Sequence, residues 1–245
     1  MTNLSVNLNK IALIRNSRGN DFPNLIEFAK KFIELGVNGI TVHPRQDERH
    51  IKSRDVIDLA ELLKDYPDVE LNIEGYPSRD YIHLIEDIRP DQCTIVPDSI
   101  NQLTSDHGWD IKKEKVFIRE IVGLIKKAGC RASIFVDPNI KQIKLVGETG
   151  ADRIELYTES FAALLGSPAS DKVFNRYKAS AETAQEMGIG VNAGHDLNLR
   201  NLPKFLEIDG ILEVSIGHAL TIECIEFGMK EVITRYLGIC NNQKK

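Results

Sequence analysis

Short apolar runs recur along the whole chain, and segments with a helical repeat of apolar residues separate them. These runs begin 22 to 39 residues apart, which is the spacing typical of alternating β-strands and α-helices. The pattern therefore predicts eight strands: LSVNLN (4–9), GITVHP (39–44), VELNIEG (69–75), QCTIVP (92–97), RASIFVD (131–137), RIELYT (153–158), GIGVNAGH (188–195) and EVSIGH (213–218).

The segments between the predicted strands have the periodicity of amphipathic helices. In residues 23–36 the apolar side chains fall on one helical face, with Pro23 near the start and Gly36 at the position of a C-terminal cap. Ser53 and Ser78 are predicted N-caps of the next two helices. Similar patterns cover residues 114–128, 139–149, 173–187 and 219–237.

Eight strands that alternate with helices predict an α/β fold with parallel pairing, and that number closes into a (β/α)8 TIM barrel. We expect residues 1–245 to form this single domain. A doubly wound open sheet is the alternative fold, but it would usually show a glycine-rich turn after its first strand, and residues 7–15 contain no glycine. Two long segments, 98–113 and 159–172, follow strands and are expected to be binding loops or lids.

The composition indicates an ordinary soluble globular protein, with 42% hydrophobic and 27% charged residues. The net charge of −5 and the pI of about 5.7 argue against a nucleic-acid or anionic membrane surface, so a basic site would be local and would suit a small anion. The N-terminal segment lacks the features of a signal peptide, and no apolar run approaches the ~18 residues of a membrane span. Four cysteines without a CxxC pair predict reduced thiols in a cytoplasmic protein.

Polar and ionisable side chains collect where the predicted strands end. In a parallel barrel these ends meet at one mouth, which is where this fold builds active sites. Because buried ionisable groups are costly without partners, a whole ring of them is hard to explain as core packing. The series reads Asn7, Asn9, His43, Arg45, Glu74, Asp98, Asp137, Glu155, Asn192, His195, Gly217 and His218, with His50 close behind the second strand.

Each of these residues also has a structural explanation when it is taken alone. His43 could be a half-buried rim histidine. Glu74 and Glu155 could form structural ion pairs with Arg45 or Arg153. Helix capping is the simpler role for Asp137, and solvent exposure explains Arg18, Arg49 and Arg54.

Two Gly-His pairs, in GHDLN (194–198) and GHALT (217–221), point to an anionic ligand. Each pair ends a late strand directly before a helix, where backbone N–H groups and the helix N-terminus favour an anion. The loops after strands seven and eight are also the usual phosphate site of a TIM barrel. The pattern therefore predicts a small phosphorylated substrate.

Two histidines and two glutamates facing one cavity suit proton transfers such as enolisation, imine exchange and dehydration. A Schiff-base aldolase would need a lysine on a strand, and the only candidate is Lys10. A second hypothesis is a metal-dependent hydrolase or lyase barrel in which His43, Glu74, His195 and His218 hold the metal. A third is a phosphate-binding barrel without catalysis.

Seven motifs in order along the chain resemble one family, the pyridoxine 5′-phosphate synthases of the deoxyxylulose-phosphate-dependent vitamin B6 route. They are VNLNKIALIRNSRG (6–19), GITVHPRQDERHI (39–51), NIEG (72–75), VPDSINQLTSDHGWD (96–110), IELYT (154–158), VNAGHD (191–196) and SIGHA (215–219). The resemblance implies a TIM barrel with extra helices, assembled as a homo-oligomer and usually as an octamer. It further implies condensation of 1-deoxy-D-xylulose 5-phosphate with 3-amino-2-oxopropyl phosphate, without a metal or an organic cofactor.

The same resemblance implies roles for individual residues. His43 and Glu74 match the proton acceptors of the family, His195 matches the proton donor, and Glu155 matches the residue that stabilises the transition state. The loop 98–110 corresponds to one that closes over the substrates. Ligand-binding positions are matched by Asn7, Arg18, Arg45, His50 and Thr104, and the backbone-rich phosphate site by Gly217 and His218.

Three positions depart from the family pattern. Where NIDHIA is expected, the chain has NLNKIA, which places Asn9 and Lys10 where the family has Asp and His. Where a His-Gly pair is expected, it has His195 followed by Asp196. Lys10 could still donate to a substrate oxygen or phosphate, and Asp196 could offer its backbone N–H. All three are therefore kept as predicted substrate-binding residues.

Overall fold

The computed structural model describes residues 1–98, 102 and 104–242. Eight parallel strands follow one another around a closed barrel, and the last pairs with the first. The closed ring confirms the predicted TIM barrel, and the open doubly wound alternative is wrong. The strands are β1 (Asn3–Asn7), β2 (Gly39–Val42), β3 (Glu70–Gly75), β4 (Gln92–Ile95), β5 (Arg131–Val136), β6 (Arg153–Tyr157), β7 (Gly190–Gly194) and β8 (Ile211–Ile216).

Eleven helices in the described part of the chain surround the strands, more than one for each strand. No helix in this part of the chain is both long and apolar enough to cross a membrane. The helices are α1 (Asn9–Asn16), α2 (Leu25–Glu34), α3 (Ser53–Leu63), α4 (Arg79–Ile88), α5 (Ile111–Lys127), α6 (Ile140–Val146), α7 (Glu159–Leu164), α8 (Ser170–Glu186), α9 (Leu202–Phe205), α10 (His218–Phe227) and α11 (Met229–Asn241).

Several predicted helix ends are confirmed, and others are displaced. Gly36 follows α2 with a φ of 96°, a left-handed conformation that glycine adopts without steric cost. The Ser78 hydroxyl accepts a hydrogen bond from the Tyr81 N–H at 3.2 Å and caps α4. Ser53 is not a cap, because α3 begins at Ser53 itself and Lys52 precedes it as the cap residue.

The capping role expected for Asp137 is also wrong. The Asn139 side chain caps α6 by accepting from the Lys141 N–H at 3.0 Å, whereas Asp137 accepts from the Gly108 N–H at 3.2 Å. Asp137 thus ties the end of β5 to the segment before α5. The segment 159–172 is not an irregular loop, because it contains α7 and the start of α8. The segment 219–237 holds two helices, which are separated at Gly228.

Successive side chains along each strand point alternately to the outside and to the inside of the barrel. Outward-pointing residues such as Ile40, Ile73 and Ile134 are fully buried against the helices in one continuous apolar core. Inward-pointing residues are largely polar. The hydroxyls of Ser5 and Thr41 lie 2.7 Å apart, so neighbouring strands are joined by hydrogen bonds inside the barrel.

A buried polar layer closes the N-terminal end of the barrel. The amide groups of Gln92 and Asn192 both donate to Oε1 of Glu213, each at 3.3 Å. Arg153 donates to Oδ1 of Asn192 at 3.2 Å and belongs to this layer. The structural ion pair considered between Arg153 and Glu155 is therefore not formed.

Candidate active site

His43 and Glu74 meet at the ends of two neighbouring strands. The Nδ1 atom of His43 lies 3.8 Å from Oε2 of Glu74, and the Asn7 side-chain amide donates to the same oxygen at 3.3 Å. His43 is 5% exposed, so the contact is largely shielded from solvent. The ends of β1, β2 and β3 thus converge on one group of atoms, as the ring of strand-end residues predicted.

Burial moves both groups of this pair toward their neutral forms. Desolvation lowers the pKa of His43 well below its usual value, and the positive charge of Arg45 adds to this effect. Desolvation raises the pKa of Glu74 well above its usual value, and the nearby Glu155 and Asp98 charges raise it further. Burial therefore favours a neutral imidazole at His43 and raises the affinity of the Glu74 carboxylate for a proton.

Glu155 lies inside the barrel and is 3% exposed. Its Oε2 atom has no hydrogen-bond partner among the described residues. Burial, together with the charge of Glu213, raises the pKa of Glu155 to about 8. Gly194 leaves it room, because a Cβ atom at that position would lie 2.2 Å from Oε1 of Glu155. A carboxyl group of this kind is poised to exchange a proton.

His195 follows β7 and is held on both sides of its ring. Its Nδ1 atom lies 3.0 Å from Oδ2 of Asp196, and its Nε2 atom lies 3.2 Å from the Thr104 hydroxyl. The Tyr157 ring stands nearly perpendicular to the imidazole, with the two centroids 5.0 Å apart. Thr104 comes from the long segment after β4, so this segment reaches the end of β7.

Arg45 and Asp98 form a buried ion pair at the ends of β2 and β4. Arg45 donates to Oδ2 of Asp98 at 2.8 Å and to the Gln102 carbonyl, also at 2.8 Å. Ser105 donates to the same carboxylate oxygen, and Arg49 donates to the Gln102 carbonyl at 3.1 Å. The partner of Arg45 is thus Asp98, and the ion pair considered between Arg45 and Glu74 is not formed.

Asn9 and His50 support the residues around His43. The Asn9 side-chain oxygen accepts from the His43 N–H at 2.9 Å and fixes the backbone where β2 ends. The Nδ1 atom of His50 accepts from the Ile51 N–H at 2.9 Å, which leaves its Nε2 atom for a ligand. Desolvation and the charge of Arg45 lower the pKa of His50 to about 4, so its ring is neutral near neutral pH.

Lys10, Gly217 and His218 surround the rim near Asp196. Gly217 precedes α10 and His218 is its first residue, so the backbone N–H groups of a helix start lie at this point. The charges of His218 and Lys10 contribute to lowering the pKa of Asp196. Arg18 lies past the end of α1 and is exposed.

A cavity of about 730 Å³ opens beside His43. His43, Arg45 and Asp98 line this cavity together with Tyr76 and Ser78. A second cavity of about 720 Å³ lies beside Tyr157. Either volume is large enough for small phosphorylated molecules.

The set His43, Glu74, His195 and His218 does not form a metal site. Within the described ranges, no three His, Cys, Asp or Glu side chains are placed so that they could hold one ion together. The sequence pattern gave no role to two buried acidic residues, Asp98 at the site and Glu213 in the polar layer at the other end of the barrel. Asp98 was only one member of the strand-end series, and Glu213 lies inside an apolar strand where no local signal marks it.

The chain resembles known proteins over almost its whole length. A family model described as "Pyridoxal phosphate biosynthesis protein PdxJ" matches residues 4–242. A protein of Christiangramia forsetii named pyridoxine 5′-phosphate synthase is 48% identical over 240 residues, which cover 98% of this chain and 99% of that protein. A protein of the same name from Chelativorans sp. is 43% identical over 242 residues, with 97% and 98% covered.

The solved structures that resemble the chain share its fold at low identity. A mutant tryptophan synthase α-subunit from Pyrococcus furiosus superposes with a TM-score of 0.65 at 11% identity, and 98% of each chain is covered. At this identity the likeness concerns the barrel and not the chemistry.

Proposed function

Because the chain belongs to the pyridoxal phosphate biosynthesis protein PdxJ family and catalyses the synthesis of pyridoxine 5′-phosphate, we propose that the residues at its barrel mouth carry out this reaction by acid–base catalysis. The reaction condenses 1-deoxy-D-xylulose 5-phosphate with 3-amino-2-oxopropyl phosphate and releases inorganic phosphate and water. The observation that carries the assignment of roles is the buried contact between His43 and Glu74, of which His43 also lines a cavity of suitable size.

His43 and Glu74 are the proton acceptors, and His195 is the proton donor. A neutral imidazole can accept a proton, and the lowered pKa of His43 keeps it neutral. Glu155 stabilises the transition state from inside the barrel, where its second oxygen is available to a ligand. The substrate amine and ketone form an imine with each other, so no lysine on a strand is required.

The phosphate groups bind on the basic and backbone-rich parts of the rim. Arg45, His50 and Lys10 supply side-chain donors, and the start of α10 at Gly217 and His218 supplies backbone N–H groups. The other proposed ligand contacts are Asn7, Asn9, Thr104, Asp196 and Arg18. Of these, Arg18 is exposed and lies past the end of α1.

The segment 98–110 closes over the bound substrates. Its residues Asp98, Gln102 and Ser105 are held by Arg45 or by one another, as expected of a loop that responds to the phosphate-binding arginines. Ser99, Ile100, Asn101 and Leu103, which belong to the proposed loop, lie outside the described residues.

The chain assembles as a homo-oligomer, and we propose an octamer. Exposed apolar side chains on two adjoining helices support this assembly: Leu13 and Ile14 on α1, and Ile225 and Phe227 on α10. Sedimentation equilibrium gives the mass, and a monomer would contradict the proposal. A cytoplasmic location is supported by the four cysteines, all of which are free thiols.

The direct test is to incubate the EDTA-treated protein with both phosphorylated substrates. We expect pyridoxine 5′-phosphate and inorganic phosphate to appear in equal amounts. The matched control is the doubly substituted protein His43→Gln/Glu74→Gln, which should bind substrates but form no product. An inactive wild type that regains turnover only with an added divalent metal would favour the metal-dependent alternative. A fully active double variant would remove the proposed roles.

A further inference from the structure

We propose that Asp196 is a positioning residue that holds His195 in the tautomer whose Nδ1 atom carries the proton. This inference rests on the proposed function, because it concerns the histidine assigned as proton donor. It assigns the Asp196 side chain a role that differs from binding of the substrate. The motivating observation is the contact of 3.0 Å between Oδ2 of Asp196 and Nδ1 of His195.

The contact determines which nitrogen of the ring bears hydrogen. An ionised carboxylate has acceptor atoms only, so Nδ1 of His195 must donate to it. In the neutral ring Nε2 is then an acceptor, and it lies 3.2 Å from the Thr104 hydroxyl. When the ring is protonated, Nε2 carries the transferable proton. Transfer of that proton to a leaving oxygen of the substrate returns the ring to the same neutral tautomer, and solvent water then restores the proton.

Hydrogen bonds on both sides of the pair fix its backbone. His195 and Asp196 have φ angles of 87° and 60°, in the left-handed region that side chains other than glycine seldom adopt. The Thr158 hydroxyl donates to the carbonyls of Gly194 and His195, and the Asn201 amide donates to the Asp196 carbonyl at 2.9 Å. A strained conformation that its surroundings hold in place is typical of a functional site.

Neighbouring positive groups keep the carboxylate ionised. The hydrogen bond from His195 lowers the pKa of Asp196, and the charges of His195, His218 and Lys10 lower it further. Lys10 and Asp196 stand where the resembled family has His and Gly. The two departures are therefore complementary: one introduces an acidic group beside the catalytic histidine, and the other places a cation in its surroundings.

Solid-state NMR of the whole protein, labelled with ¹⁵N in its histidine rings, tests the tautomer directly. The His195→Gln spectrum identifies the signals of His195. At a pH where the ring is neutral, wild type should show a protonated Nδ1 and a bare Nε2. Asp196→Gly keeps the backbone angles accessible but removes the acceptor, so the Nε2-protonated tautomer should appear. The kcat of Asp196→Gly should fall by about tenfold or more, with a smaller change in KM.

Two variants separate positioning from a general structural effect. Asp196→Asn keeps an acceptor oxygen and tolerates the left-handed conformation, so it should retain more of the wild-type tautomer and kcat than Asp196→Gly. Arg89→Gly makes the same kind of change at another left-handed residue, at the end of α4 with a φ of 53°, and should alter neither property. An unchanged tautomer and unchanged kcat in Asp196→Gly would overturn the proposal. Failure of the proposed function is distinct, because it would appear as an inactive wild type.

Discussion

The Nδ1 atom of His43 and the Oε2 atom of Glu74 lie 3.8 Å apart in the buried mouth of the barrel. Burial is the largest cause of the pKa shifts of both groups, and it moves each toward its uncharged form. The pair can therefore take up or release a proton without first having to neutralise a buried ion pair. A reaction that moves several protons in one cavity requires groups of this kind.

Replacement of either member of the pair should remove activity while leaving the fold intact. His43→Gln and Glu74→Gln keep the size of each side chain approximately, and we expect kcat to fall by about 10²- to 10⁴-fold. Product formation and far-UV circular dichroism are the two measurements. Glu86→Gln, on an exposed part of α4, is the matched control and should keep full activity. Wild-type rates in both site variants would contradict the role of the pair.

Glu155 should make the stability of the protein depend on pH. Its pKa rises from 4.5 to about 8 on burial, so the folded protein retains a proton that the unfolded chain loses. The stabilisation linked to this proton is complete below pH 4.5 and is lost as the pH rises to about 8. Within this window the loss is about 1.4 kcal/mol per pH unit.

Comparison with Glu155→Gln isolates this dependence, because the amide does not titrate. Urea unfolding of both proteins at one protein concentration, at several pH values from 5 to 9, gives their free energies of unfolding. The wild type should lose stability relative to the variant up to about pH 8, after which the difference should level off. A constant difference across the series would mean that Glu155 is ionised throughout.

Gly194 should be required for the placement of Glu155. A Cβ atom at Gly194 would lie 2.2 Å from Oε1 of Glu155, so Gly194→Ala must push the carboxyl group away. We expect product formation to fall by about tenfold or more, since general acid–base groups act only within hydrogen-bond reach. Gly123→Ala is the matched control. It lies in α5 with open space around it, and should raise helix stability by up to about 1 kcal/mol without loss of activity.

The barrel could be predicted because its information is local. Each strand is a short run with turn residues on either side, and parallel pairing follows from the alternation with helices. The end of β1 was harder to predict, because Leu8 and Asn9 continue the alternation of apolar and polar residues. In the structure the Asn7 side chain accepts from the Asn9 N–H at 3.0 Å, and the chain turns into α1 at this point. Ser53 was displaced from the cap by one residue for a similar reason, because Asp55 accepts from the Lys52 N–H.

The partners of the site residues could not be predicted from spacing. Closure of the barrel indicated that His43, Glu74 and Glu155 would share one end. It did not indicate that Arg153 would bond to Asn192 and not to Glu155, or that Arg45 would pair with Asp98 and not with Glu74. The partner of each side chain depends on the layer of the barrel interior in which it lies. The closed ring as a whole determines that layer, so no single segment of the sequence reveals it.

The Arg45–Asp98 pair should contribute to stability as well as to binding. Its side chains are only 6% and 3% exposed, so Asp98→Asn leaves a buried guanidinium without this carboxylate. We expect a loss of about 3 kcal/mol or more in the free energy of unfolding. The KM for the phosphorylated substrates should also rise. Without the Asp98 carboxylate, the Arg45 guanidinium is held less firmly, and the Gln102 carbonyl that accepts from Arg45 is less firmly held as well.

The exposed pair of Arg54 and Asp58 provides the comparison for this measurement. Its side chains are 77% and 37% exposed, so Asp58→Asn should change the free energy of unfolding by less than about 1 kcal/mol. The two variants remove the same charge from the same residue type and differ in burial. If Asp98→Asn had the same free energy of unfolding as Asp58→Asn and an unchanged KM, the proposal that Asp98 holds Arg45 in place would be wrong. The difference between the two variants therefore measures how much burial strengthens the dependence of Arg45 on its carboxylate partner.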